Sequence, residues 1–212
     1  MTDTATPITR SERITNLDTV RGIATLGILV MNAVSFGLPQ PAYFNLDYAG
    51  SDNTLDWIVG VLGEVFVDQK TMAMFSMLFG AGIVVFADRA AAKGRRANWL
   101  SLWRNTLLLV IGGAHTAFWF GDVLMLYAVC SPVLLLLRTR SARTLFIAGG
   151  SCLALSALTM AAIQGEIEAG DLGDYWVDEN TAMDEDVGFA FIVDLGMRAL
   201  GAMLIGVGLF RA

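Results

Sequence analysis

"LSLWRNTLLLVIGGAHTAFWFGDVLMLYAVCSPVLLLL", residues 100–137, decides the architecture. Two apolar runs are joined by a very short break at Gly121 and Asp122. Each run approaches the roughly 20 residues that a helix needs to cross a hydrocarbon core of about 30 Å. So short a break leaves no room for a crossover, so the runs read as an antiparallel helical hairpin inside a membrane. His115, the only histidine of the 212 residues, stands just before that break.

Working outward, four more segments carry the same signal. The expected spans are 20–38, 69–87, 100–118, 120–137, 144–163 and 189–210. A further apolar stretch, 55–67, is too short to cross alone and reads as a surface or re-entrant helix leading into the second span. The fold expected is therefore an all-α, polytopic membrane bundle of about six transmembrane helices plus that short helix. Composition agrees: 55% of residues are hydrophobic, only 16% are charged, and mean hydropathy is +0.59. Charged side chains are too few to coat a soluble surface of this size.

Loop charge orients the bundle. Arg10 and Arg13 precede the first span, and Arg89, Lys93, Arg95 and Arg96 follow the second. Arg138, Arg140 and Arg143 follow the fourth, and Arg211 follows the sixth. By the positive-inside rule these places are cytoplasmic, residues 1–18 among them, as expected of a multi-pass protein of the inner membrane. The remaining loops are acidic. Asp47, Asp52 and Asp56 lie at 38–56, and the outer loop 164–188 carries nine acids without one lysine or arginine. That loop reads as a solvated connection or a cation collector, and its spacing does not match an EF-hand. Residues 1–18 contain no apolar stretch resembling a signal peptide, so the first span is expected to act as its own insertion signal. No basic stripe is present, which excludes an electrostatic footprint for nucleic acid. Cys130 and Cys152 lack metal-ligand spacing and read as buried thiols, and no metal is expected.

Ionisable groups inside the membrane face the bundle interior or a wet cavity. Asp18, Arg21, Thr25 and Asn32 fall within about 60° of one helix face. They form either a polar path inward or, for Asp18 and Arg21, an anchor at the lipid headgroups. Lys70, counted back from the end of the second span, lies about 25 Å away at the outer side. That is the depth of His115 and Asp122, while Arg104 lies near the cytoplasmic side. An amine, an imidazole and a carboxylate at one depth suit general acid–base chemistry. The structural alternative has Asp122 capping the fourth helix and His115 bonding across helices. Ser76, Gly80 and Gly82 in "MFSMLFGAG" read as a close-packing face, and Pro132 as a kink in the fourth span. Soluble-enzyme motifs such as GxSxG, HExxH or a Walker loop are missing.

Three blocks carry a resemblance. "RITNLDTVRGIATLGILVMNAVSFGLP", "KTMAMFSMLFGAG" and "WRNTLLLVIGGAHTAFWFGDVLMLYA" resemble the YeiB-like bacterial inner-membrane family in order and spacing. Its pattern reads LDxxRGxAxxGILxxN, then GKFxxLFSxLFGAG, then RRLxxLxxxGxxHxxxxxxGDIL. The match extends loosely through "MRALGAMLIGVGLFR". Matched position by position, its polar marks fall on Asp18, Arg21, Asn32, Lys70, Arg104, His115, Gly121 and Asp122. One departure is local: GKF becomes "QKT" at Gln69–Thr71. Members are also about twice as long, so this chain is expected to be a fragment or a shortened member, completed by a C-terminal half or a second copy.

The family looks like a relative of membrane acyltransferases of the heparan-α-glucosaminide N-acetyltransferase type. The resemblance implies transfer of an acyl group from acyl-CoA to an envelope glycan or small-molecule acceptor. Arg21 and Arg104, with Asp18 and Asn32, would bind the donor. His115, oriented by Asp122, would act as base or acyl carrier, and Lys70 would stabilise developing negative charge. The second reading is a proton-coupled permease whose polar stripe lines a path. The third is a scaffold without chemistry.

Overall fold

A computed structural model describes residues 15–43, 46–50, 52–119, 123–166 and 185–212. Among them the regular structure is helical throughout, without strands. Helix α1 covers Thr15–Gly37, a 3-10 turn Gln40–Tyr43, α2 Thr54–Leu62, and a π turn Gly63–Val67. Then follow α3 (Lys70–Ala92), α4 (Ala97–Thr116), α5 (Leu124–Leu137), α6 (Ala142–Glu166) and α7 (Glu185–Arg211). The six long helices match the six expected segments in order.

Among the described residues, four helical segments are long and apolar enough to cross a bilayer: Leu17–Gly37, Thr54–Ala92, Ala142–Ala162 and Gly188–Arg211. Helix α4 is long enough but is diluted by Arg104, Asn105 and His115. Helix α5 is apolar but has 14 residues, about 21 Å of rise. It runs unbroken through Pro132, and the Ser131 hydroxyl donates to the Tyr127 carbonyl at 2.8 Å. The break at 120–122 lies outside the described residues.

The expected short helix is present. Asn53 caps α2, its side chain accepting from the amides of Leu55 and Asp56, as an N-cap asparagine does. Helix α2 buries none of its residues. Leu55, Ile58, Val59 and Leu62 are all exposed, as are Leu26, Leu29 and Val30 on α1 and Leu155 and Leu158 on α6. Apolar exposure on this scale is untenable in water and natural against lipid. This is the construction of a membrane protein.

Inside, α3 and α7 are the central pair. Helix α6 packs on α7, α1 and α4 on α3, and α5 against α3, α4 and α7. Small residues set the distances. A Cβ on Gly80 would stand 2.7 Å from the Met203 carbonyl oxygen, and one on Gly149 2.8 Å from that of Gly201. At Gly112 it would meet the Met125 amide at 2.7 Å, so this glycine closes the α4–α5 hairpin. Backbones this close maximise van der Waals contact, the main attraction between helices in lipid. Around them pack Val84, Tyr127, Leu134, Met203, Leu204 and Val207. The Tyr127 phenol and the Ser76 hydroxyl lie 2.7 Å apart in this core. Both cysteines are free thiols, Cys130 buried and Cys152 half-buried.

One end of the bundle collects the start of α1, the end of α3, the start of α4, the end of α5, the start of α6 and the end of α7. The basic turns at 93–96 and 138–143 therefore share an end. There Asp88 on α3 holds Arg138 at 2.7 Å and Arg211 at 3.0 Å, joining three helix ends. Asp88 is 44% exposed, so solvent screens both pairs. Asp88→Asn should cost about 1 kcal/mol, and less in high salt. Thermal unfolding in detergent at two salt concentrations checks this, and an unchanged midpoint at low salt would contradict it.

Candidate functional site

Helices α1 and α4 lie against α3 rather than against each other, leaving a cleft floored by α3. Its volume is about 340 Å³. On α3 the lining residues 79, 82, 83 and 86 recur at one-face spacing, as do 101, 104, 105 and 108 on α4. From α1 comes Arg21. The two arginines marked in sequence thus converge on one space from two helices.

Each guanidinium is held differently. The centre of the Arg104 guanidinium sits 4.1 Å from the centroid of the Phe86 ring, a cation–π contact that leaves the edge N–H groups free to donate. Arg21 lies over Gly82, where a Cβ would stand 3.2 Å from its Nη2. Gly82 therefore makes room for an arginine, while Gly80 two positions away serves helix packing. Asp18 contacts Arg21 at 3.4 Å, with both side chains substantially exposed. Two further groups complete the lining. Ser101 and Asn105 are 3% and 9% exposed, and among the described residues Ser101 Oγ and Asn105 Nδ2 have no hydrogen-bond partner.

The opposite end holds the other expected residues. Lys70 Nζ donates to the Glu64 carbonyl at 3.1 Å, across the π turn. The His115 ring lies 5.7 Å from that of Trp119, which in turn lies 5.0 Å from Phe36 at the end of α1. Lys70 and His115 share an end of the bundle, and these contacts engage them with different neighbours. Asp122 and Gly121 lie outside the described residues, as does most of the acidic loop 164–188. Asn32 is half-buried. It follows Met31, whose sulfur accepts the Thr71 hydroxyl at 3.6 Å. Asn32 is about 16 Å along α1 from Arg21, so it stands at the Lys70 end and not in the cleft.

A polar chain that sequence reasoning missed crosses this end. The Tyr43 phenol donates to Asp68 Oδ1 at 3.0 Å. Burial first, then the adjacent Asp68 carboxylate, push that phenol far above its usual range, so it stays protonated. Gln69 donates to Asp68 at 3.2 Å and accepts from Arg198 at 3.4 Å. Arg198 pairs at 2.5 Å with Asp194, which is fully buried and also takes the Ser156 hydroxyl. An Asp and an Arg four apart in "FIVDLGMRAL" were the available signal. Among the described residues no three His, Cys, Asp or Glu side chains gather as a metal would require.

Gln69 has φ +35°, at the position where the resembling pattern carries glycine. A side chain is strained there. Gln69→Gly should melt no lower than the parent, because relief of strain offsets the lost amide contacts. Gln69→Val should melt several degrees lower, since a β-branched residue fits that backbone worst. Equal midpoints for the two variants would refute the assignment.

Homologues of the chain are uncharacterised proteins. Uncharacterized protein YeiB of Escherichia coli (strain K12) is 30% identical over 95% of this chain and 56% of its own length. Uncharacterized protein YxaH of Bacillus subtilis (strain 168) is 36% identical over 66% of this chain and 36% of its own. An uncharacterized 39.9 kDa protein in the amylase 3′ region of Bacillus acidopullulyticus is 32% identical over 61% and 35%. The chain thus spans about half the length, or less, of the curated relatives it matches. No family model matches it, and no solved structure does.

Proposed function

We propose that the chain is the donor-binding part of a membrane acyltransferase that uses acyl-CoA. The observation that carries this is the convergence of Arg21 and Arg104 on one cleft. Guanidinium groups pair with phosphate oxygens through fixed, bidentate geometry, and coenzyme A is rich in phosphate. The cleft lies at the basic end of the bundle, which the positive-inside rule assigns to the cytoplasm, where acyl-CoA is found. His115 lies 11 residues beyond Arg104 on α4, about 16 Å away, within reach of an extended acyl-pantetheine arm. The imidazole would take the proton of an acceptor hydroxyl or amine as its lone pair forms the bond to the acyl carbon. The thioester C–S bond then breaks, and coenzyme A leaves as a thiol with that proton. Asp122 would orient the imidazole, and Lys70 would stabilise the developing oxyanion. An envelope glycan or small molecule would be the acceptor.

The test is titration of acetyl-CoA against the full chain in phosphatidylcholine nanodiscs, followed by acetyl transfer by a full-length homologue. Binding lost in Arg21→Ala and Arg104→Ala supports the proposal. Absence of acetyl-CoA binding by both proteins would overturn it. Uptake driven by a pH gradient, in place of transfer, would favour a proton-coupled permease.

A further inference from the structure

We propose that the cleft between α1, α3 and α4 is a phosphate-ester site in which Ser101 and Asn105 bind the phosphoryl oxygens alongside the two arginines. This deepens the acyltransferase reading by naming neutral ligands that neither charge nor motif marks. It rests on that reading only for the identity of the phosphate's owner.

A buried polar atom without a partner is costly, and most such groups in folded proteins are satisfied. Among the described residues Ser101 Oγ and Asn105 Nδ2 are two such orphans, one helical turn apart on the same face of α4. Arg104 lies between them in sequence and lines the same cleft. Their chemistry is of one kind. A guanidinium from each of two helices, an amide NH2 and a hydroxyl all offer protons; among the described residues no carboxylate lines the space, and Asp18 meets Arg21 at 3.4 Å. The cleft therefore presents four donors and two positive charges.

A planar carboxylate, with two oxygens, satisfies one guanidinium fork. A tetrahedral phosphoryl group offers acceptors in several directions and can meet donors converging from α1 and α4 together. Gly82 leaves Arg21 room to approach α3, and the Phe86 ring seats the Arg104 guanidinium 4.1 Å from its centroid. Two sources can supply such a group. One is a soluble phosphate ester such as coenzyme A. The other is the headgroup of an anionic phospholipid, held in a basic pocket between membrane helices. The neighbouring surface on α1 and α4 (Leu26, Leu29, Leu107, Val110) is exposed and apolar, as lipid chains require.

The experiment titrates inorganic pyrophosphate, then coenzyme A, against the full chain in phosphatidylcholine nanodiscs. Asn105→Asp keeps the shape and reverses the interaction with an anion. Ser101→Ala removes the hydroxyl, and Thr106→Ala, outside the cleft, is the control. Pyrophosphate affinity should fall about tenfold or more in Asn105→Asp, fall less in Ser101→Ala, and hold in Thr106→Ala. A melting curve confirms that each variant is folded, and Asn105→Gln replaces any that is not. In nanodiscs doped with phosphatidylglycerol, weaker pyrophosphate binding that Asn105→Asp abolishes identifies the lipid headgroup as the occupant. Unchanged pyrophosphate binding gives that role to the soluble ester. Affinities for pyrophosphate and phosphatidylglycerol that ignore Asn105 would overturn the proposal. Coenzyme A bound through Asn105 without any acyl transfer would leave this site standing and remove the acyltransferase reading. Transfer from acetyl-CoA undisturbed by Asn105→Asp would do the reverse.

Discussion

Gly206→Leu should yield no folded protein, and Gly206→Ala should lose roughly 3 kcal/mol of stability. At this point α7 lies on α3 backbone to backbone. A Cβ on Gly206 would overlap the Met77 carbonyl, just as one on Gly80 would crowd Met203 from the other side. Neither partner atom is a side chain that can rotate away, so the two helices would have to separate. Separation would open the core around Val84, Met203, Leu204 and Val207, all nearly fully buried, and dispersion contacts fall steeply with small gaps. In lipid no hydrophobic force draws the helices back together. Two other glycines calibrate the result. At Gly208 the obstacle is the Phe146 ring, 3.1 Å away and able to shift, while at Gly150 nothing lies within 4 Å. The expected ranking of melting temperatures is therefore Gly150→Ala, then Gly208→Ala, then Gly206→Ala. Any other order would mean that the α3–α7 contact is not the keystone of the bundle.

Arg104→Ala is expected to weaken acetyl-CoA binding about a hundredfold, and Arg21→Ala by a similar factor. Both guanidiniums line one cleft, so a phosphate there takes charge-assisted bonds from two helices at once. Arg104→Lys should recover little. An ammonium cannot lie flat on Phe86 and still direct a planar fork into the cleft. Folding and binding should separate cleanly at Arg21. Among the described residues its ion pair is the weak, exposed contact with Asp18, worth about 1 kcal/mol or less. The melting temperature of Arg21→Ala should therefore barely move while affinity collapses. Gly82→Val adds an independent probe, because it crowds Arg21 without removing it. Full affinity in Arg104→Ala would show that the donor does not bind in this cleft.

The helical, membrane-borne architecture was legible before any coordinates. A chain crossing lipid must satisfy every backbone N–H and C=O within its own segment, so apolar runs of about 20 residues declare helices by length alone. Charge counting placed Arg21 and Arg104 towards one end and Lys70 and His115 towards the other, because rise per residue converts sequence distance into depth. The substitution of Gln69 for the glycine of the resembling pattern was visible as well.

Depth, though, is one coordinate of three. Periodicity gives the face of a helix but not the neighbour it meets. Only packing decided that Arg21 and Arg104 share a cleft, that Asn32 belongs to the other end, and that Ser101 and Asn105 are buried there without partners among the described residues. Burial is a property of what surrounds a residue, so the apolar run around Asp194 does not announce a fully buried carboxylate bonded to Ser156 of α6. The strain at Gln69 likewise needed a backbone angle. Sequence by itself determined that this chain is a bundle of apolar helices, because lipid imposes that answer locally. Tertiary structure alone decided which polar groups face one another, because that depends on glycine contacts such as Gly80–Met203 that set how closely the helices approach.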